Sequence, residues 1–315
     1  MIITLEQFKE ELDRNWTEYT RNRYEQAPSE FDQIARVEST DRFFDKMGGV
    51  GGIQGPIENR DGENIPFFSP VKNYTSFITQ KFYRGGYAVT RDMLEMGQYQ
   101  VAVDNLDDML RSEKTLRDQV TVNILNNGTS SQGYEPVEAD GTRRALFSTG
   151  HVREDNGGTI SNYYNVAVPP NLDTIYEVGI NYLHRLKDAV GNFVGGYGEL
   201  TIITPTANPA FVKAADVIVA SMEDPSTANR AVNTATRRFK LKHISLNQLT
   251  STTHWYIRVD ITVPTYPIRL KNFRNPDTSP LQMMANNPDA MFSRMRSVFG
   301  VGLGPTFRGL VSIGA

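Results

Sequence analysis

The stretch IPFFSPVKNYTSFITQKFYRGGYAVTRDML, residues 65–94, constrains this chain more than any other part of its sequence. Over 73–83, Tyr74, Ser76, Ile78, Gln80 and Phe82 alternate with Thr75, Phe77, Thr79, Lys81 and Tyr83. That period of two predicts a strand with aromatic residues on both faces. An isolated pair of strands is marginal in water, so each face needs protein against it. The cover comes either from the chain's own interior or from other copies. The arm leads almost directly into a long amphipathic pattern. Leu106, Met109, Leu116, Val120 and Ile124 form its apolar stripe. Asp107 with Arg111 and Glu113 with Arg117, four residues apart, are expected on its outer face. Gly97 precedes this helix and Gly128 stops it. About 30 residues at 1.5 Å each give a rod of roughly 45 Å, long enough to span a domain.

Before the arm, Thr4 and Gln7 have capping-box spacing. Leu5, Phe8, Leu12, Trp16 and Tyr19 share one helical face, which docks either on a neighbouring subunit or within the chain. A weaker helical pattern through Ile34, Val37 and Phe43 ends at Gly48-Gly49-Val50-Gly51-Gly52, which reads as a hinge or loop. After the long helix, residues 128–170 read as loop. Asn171 then caps a helix carrying Ile175, Val178, Tyr182, Leu183, Leu186 and Val190. Leu200–Thr204 reads as a buried strand, and Asn208-Pro209 opens a helix with Phe211, Ala214, Val217 and Ile218 inside. Runs at 239–246, 255–263 and 268–273 read as strands, with Pro264 and Pro267 assigning their neighbourhood to a sheet edge. Beyond Pro288 a short helix or strand through Phe292 and Met295 leads to glycine-punctuated turns and a final strand.

The length of 315 residues suits two domains, or one with large excursions. There is no cysteine, hence no disulfide and no thiolate metal site. The formal charge is −3 without a basic stripe, so any grip on nucleic acid is expected to be weak. No apolar run reaches the roughly 20 residues of a membrane helix, and residues 1–16 lack the pattern of a signal peptide. The expected location is therefore the cytosol. His151, His184, His243 and His254 lie apart at no metal-binding spacing and read as structural. Gln54 and Pro305 break the two glycine runs that superficially look like phosphate loops. No serine-nucleophile signature or convergent acid pair occurs, so neither an enzyme nor a cofactor is expected.

Asp140-Gly141 followed by Leu146-Phe147-Ser148-Thr149-Gly150-His151, the strand-proline-helix unit Glu199–Pro205 into Pro209, and the closing Thr306-Phe307-Arg308-Gly309 stand in this order. Together they resemble the major capsid proteins of tailed bacteriophages with the Hong Kong 97 fold, and more narrowly the Mu-like head subunits. The resemblance runs from about Pro56 to Ala315.

It implies an α+β fold with an N-arm (1–55), an extended E-loop hairpin (56–94) and a peripheral domain with a long spine helix (95–170). An axial α/β domain (171–262) and peripheral return strands (263–315) would complete it. It also implies a virion protein assembled in the host bacterial cytoplasm as hexamers and pentamers of a shell. Its partners would be a portal and packaged double-stranded DNA touched weakly on the inner face. The family often carries an N-terminal scaffold segment, but with only about 55 residues ahead of the E-loop a separate scaffolding protein is expected here. Phe67, Phe68, Tyr74, Phe77, Phe82 and Tyr83 of the E-loop would contact neighbours, as would Phe8, Leu12 and Trp16 of the N-arm. Gly48, Gly49, Gly51, Gly52, Gly85 and Gly86 would act as hinges. The competing readings are an encapsulin-like nanocompartment shell and an α/β enzyme with an aromatic substrate arm.

Overall fold

In the computed structural model the predicted long helix runs over Tyr99–Asn126. The structure describes residues 18–314 except 57, 59–63, 66, 70, 91, 94–95, 97, 131–136, 139–140, 153–158, 167, 182–189, 191–198, 222–231, 261–266, 280–281, 285–286 and 305–308. Chain segments interleave to form two units. The first takes residues up to Phe43, Thr79–Val120 and Leu270–Val301; the second takes Phe44–Ile78, Thr121–Arg269 and the rest from Gly302. Among the described residues no helix is long and apolar enough to cross a membrane.

The first unit is built on one sheet. Its strands follow the order β1 (Arg36–Ser39), β11 (Ile268–Thr278), β13 (Asn287–Leu303) and β12 (Gln282–Met284), and β4 (Lys81–Thr90) also pairs with β13. β4 runs antiparallel to β13 from Ala290 opposite Thr90 to Phe299 opposite Lys81. One face of this pair, with Tyr87 and Met295, packs on Leu106, Met109 and Leu110 of the long helix. β13 is 17 residues long, where the sequence suggested a short element and then turns. Ten partners on β4 hold it extended, and those pairings lie some two hundred residues away along the chain.

Two further expectations fail in this unit. The pattern through Ile34, Val37 and Phe43 is no continuous helix: a helix at Phe31–Ile34 gives way to β1, and Val37 and Phe43 are exposed. Glu113 and Arg117 are not on an outer face, since each residue is only 2% exposed. Asp107 binds Arg23 at 3.6 Å, while Arg111 binds Asp108 at 3.6 Å.

The second unit holds a sheet ordered β7 (Tyr163–Tyr164), β14 (Leu310–Ile313), β10 (Trp255–Asp260), β8 (Glu199–Pro205) and β9 (Lys240–Leu246). β10 is antiparallel to both β8 and β14, and β8 is parallel to β9. Period-two alternation sends Trp255, Ile257 and Val259 of β10 into a core with Ile202, Ile175 and Ile218. Tyr256 lies on the opposite face and stacks on Phe147 at 5.3 Å. Two helices start where their caps predict. Asn171 Oδ1 accepts from the Thr174 N–H at 2.8 Å ahead of Leu172–Gly179, and Asn208 Oδ1 accepts from the Phe211 N–H ahead of Pro209–Ala220. In the latter helix Ala215 and Ile218 are buried, whereas Val217 is exposed. Tyr182, Leu183 and Leu186 lie outside the described residues. Two small pairs complete the unit: β5 (His151–Val152) with β6 (Thr159–Ile160), and β2 (Phe44–Gly52) with β3 (Val71–Thr79).

Candidate assembly surfaces

The aromatic arm is divided at Gln80. β3 and β4 do not pair with each other: β3 joins β2 in a long hairpin, and β4 joins β13. The break also reverses the alternation. Ser76, Ile78 and Gln80 are buried, yet Phe82, which shares their parity, is exposed. Gly48, Gly49, Gly51 and Gly52 therefore lie within a hairpin strand, not in the loop that four glycines in five residues suggested. Phe44 of β2 stacks on Phe77 of β3 at 5.6 Å, with the Lys46 ammonium 5.8 Å from the Phe77 ring. A bridge from Thr75 to Val137 steadies the other side of β3.

Between the hairpin strands the chain carries Ile53, Ile65 and Phe67 in the open. Ile65 is 75% exposed and Phe67 94%. Fully burying a phenylalanine stabilises by about 1.5–3 kcal/mol, so an uncovered Phe67 forgoes a large fraction of what its sequence offers. Phe68 beside it is half-buried. In β4, Phe82 is 49% exposed and stacks on Phe43 at 5.4 Å. Tyr83 points to the other face and stacks on Phe299 at 4.3 Å. Of the six arm residues singled out by the sequence, Phe67 is thus the most open and Phe82 is half-open. Phe77 and Tyr83 have aromatic partners in their own chain, and the Tyr74 side chain lies outside the description.

The glycines of β4 differ in what they permit. A Cβ on Gly86 would stand 2.7 Å from the Ser293 carbonyl oxygen, so glycine is what lets β4 approach β13 there. A Cβ on Gly85 or Gly48 would meet nothing within 4 Å. Gly302, expected in a turn, lies in β13, where a Cβ would stand 2.8 Å from the Ile78 side chain.

Phe8, Leu12 and Trp16 lie outside the described residues. The segment that follows them is helical over 18–26 and is bolted to the long helix by two buried charges. Lys114 Nζ donates to the carbonyls of Ala27 at 2.5 Å and Glu25 at 3.4 Å. One turn on, Asp118 Oδ1 accepts from the N–H groups of Glu30 at 2.8 Å and Phe31 at 2.7 Å. Burial lowers the Lys114 pKa. Burial also raises that of Asp118, against the pull of those two N–H donors. Tyr24, whose ring lies 4.9 Å from the Lys114 ammonium, has its phenol pushed up by burial.

In the second unit the Leu146–His151 signature forms a polar clasp. His151 Nδ1 lies 2.6 Å from Glu138 Oε1, and its Nε2 lies 3.1 Å from the Leu146 carbonyl. Glu138 Oε2 also accepts from Arg144 and from the Val152 N–H at 3.0 Å. Burial pushes the Glu138 pKa up, but hydrogen bonds from His151, the Val152 N–H and Arg144 outweigh it and hold the carboxyl below its ordinary value. Gly141, at φ +78°, closes the turn in which the Glu138 N–H donates to the Thr142 carbonyl. Asn162, fully buried, donates to the carbonyls of Leu146 at 2.7 Å and Leu310 at 3.3 Å, which ties the signature to β14. Sequence reading missed both Glu138 and Asn162, since no fixed spacing links either to His151. Glu138 and His151 of the clasp are buried, and their hydrogen bonds hold this part of the unit together. Of the closing motif only Gly309 is described, at φ +96° before β14.

Among the described residues no three histidine or acidic side chains gather as a metal site. His243 binds Asp216 at 2.7 Å and Thr204 at 2.8 Å; His254 lies 2.9 Å from Ser251. His184 lies outside the description.

No family model and no curated protein matches the sequence. Solved structures do match. The procapsid of bacteriophage JBD30 is similar with TM-score 0.53 and 14% identity, over 99% of this chain and 76% of that one. The mature capsid of bacteriophage PhiM1 gives TM-score 0.53 and 10% identity, over 91% and 87%. A virus-like particle from Pyrococcus furiosus gives TM-score 0.50 and 9% identity, over 95% and 98%. The chain has the Hong Kong 97-like α+β capsid fold.

Proposed function

We propose that this chain is the major capsid subunit of a tailed bacteriophage, in the Mu-like branch, and that it self-assembles into the icosahedral shell around a double-stranded DNA genome. The observation that carries this reading is an arm ending in uncovered Ile65 and Phe67 on a chain with a capsid fold. Apolar side chains buried only on association make stability a function of subunit concentration. Repeated over every contact of a shell, a modest area per copy becomes decisive. The arm residues and the amino-terminal helix would lie on neighbours in hexamers and pentamers. Gly48–Gly52 and Gly85 would let the arm adjust between the two environments. A separate scaffolding protein and a portal would guide closure, and DNA would touch the inner face weakly, in keeping with the formal charge of −3.

The similarity to a virus-like particle supports a second reading, a cellular compartment shell of the same fold. Electron microscopy of particles purified after expression with neighbouring genes, followed by nuclease treatment and extraction, separates the two. Closed particles holding protected DNA support the phage capsid; closed particles holding protein cargo support the compartment. A small discrete oligomer that never closes contradicts both.

A further inference from the structure

The outward face of the β4 and β13 pair carries a concentration of one charge. Register places Arg84 directly opposite Arg296, and Arg294 opposite Gly86. Like charges facing each other across a sheet destabilise it. All three arginines are exposed, and none is ion-paired with a carboxylate among the described residues. Aromatic rings prop them instead. The Arg84 and Arg296 guanidiniums lie 5.6 and 5.5 Å from the Phe82 ring, and that of Arg294 lies 4.4 Å from the Phe292 ring. A guanidinium held against a ring keeps its planar donor fork for an anion and loses little entropy in using it.

The same chain carries a segment of complementary character. Between Gly55 and Phe67 the sequence has Glu58, Asp61 and Glu63 against the single base Arg60. Ile65 and Phe67, just beyond the acids, are uncovered. Arg294 and Arg296 are alternate residues of a strand, which sets them roughly 7 Å apart along it. Asp61 and Glu63 have the same alternate spacing in the sequence. Phe82 already meets Phe43 and two guanidiniums, and Phe292 meets the Arg294 guanidinium, so both of these rings are engaged and what they leave for a partner is charge and apolar edge.

We propose that the Arg84, Arg294 and Arg296 face receives the acidic 58–63 segment of a second copy, with that copy's Ile65 and Phe67 covering the edge of Phe82. This rests on the capsid reading and names the surface that accepts the arm. The contact is head-to-tail, so it propagates around a ring of copies and does not stop at a pair.

The test uses the unassembled full-length chain and a labelled synthetic peptide of residues 53–69, read by fluorescence anisotropy. Wild type should bind the peptide, and the affinity should fall at least about fivefold in the R84Q/R294Q/R296Q variant, in line with three partly exposed charge pairs. A peptide carrying Glu58→Gln, Asp61→Asn and Glu63→Gln should lose a similar factor on wild type and little more on the variant. If the triple variant does not fold, as judged by circular dichroism, the neutralised peptide on wild type decides the matter. Equal binding of both peptides overturns the proposal. It is also overturned if the peptide does not bind while a short DNA duplex does and loses affinity in the triple variant, which would assign the face to nucleic acid. Failure of wild type to form particles in the microscope counts against the capsid reading alone; particles together with peptide indifference counts against this contact alone.

Discussion

Arg117 Nε donates to Glu113 Oε1 at 2.6 Å, one helical turn away, and both side chains are closed off from solvent. Arg117 Nη1 donates further to Asn272 Oδ1 at 2.6 Å, and the guanidinium lies 4.6 Å from the Phe299 ring. One arginine thus joins the long helix to β11 and β13.

Removing one partner of a buried ion pair leaves the other charge stranded, at a cost of about 3–5 kcal/mol. Glu113→Leu should therefore destabilise strongly in urea denaturation. The double variant Glu113→Leu/Arg117→Met should lose clearly less than the sum of the two single changes, because the stranded charge is gone. Additive losses would contradict this account of the pair.

This node shows where sequence reading stopped. Residues whose structure is set by their nearest neighbours were legible: the caps at Asn171 and Asn208, the strand at 199–205 and the long helix all depend on local hydrogen bonds or local periodicity. A glutamate four residues before an arginine has the same spacing on a wet face as in a core. Only Phe299 and Asn272, far along the chain, decide that this pair is buried. The length of β13 was hidden for the same reason, since its partner strand is β4. The aromatic content of the arm was legible, but which rings find partners within the chain, as Phe77 and Tyr83 do, was not. Nor was the arm's parity reversal at Gln80, because alternation assumes one unbroken strand.

Gly86 and Gly85 are adjacent, and their substitutions should diverge. Gly86→Ala sets a methyl group 2.7 Å from the Ser293 carbonyl and should cost about 1–3 kcal/mol by forcing β4 from β13. Gly85→Ala meets open space and should be neutral or stabilise by up to about 1 kcal/mol, through a less flexible unfolded chain. Thermal unfolding of the two variants beside wild type checks the ordering.

Acid should release the Glu138 clasp. The folded-state pKa of Glu138 lies below its ordinary value of 4.5. In the window between the two the unfolded chain binds a proton that the folded chain does not. Its contribution is therefore present above about pH 4.5 and lost as pH falls through the folded value. Asp118 acts with opposite sign, because its raised folded pKa gives a contribution that is lost as pH rises. Glu138→Gln isolates the clasp: it should cost about 1.5–3 kcal/mol at pH 7 and flatten the decline in stability on acidification. An unchanged acid limb in that variant would count against the clasp.

Ile65 and Phe67 should matter for association and hardly at all for the fold of one copy. Replacing both by serine should leave unfolding of the dissociated subunit within about 0.5 kcal/mol of wild type, as expected for exposed sites. The same change should abolish or sharply reduce closed particles, as counted by sedimentation velocity.

The chain contains no cysteine, so a single Ser69→Cys substitution beside Phe68 gives one label site on the exposed arm. Maleimide labelling of that thiol, compared between dissociated subunits and purified particles, reads directly whether other copies cover the arm. The account predicts fast labelling in the subunit and strong protection in the particle; equal rates in both states would contradict it.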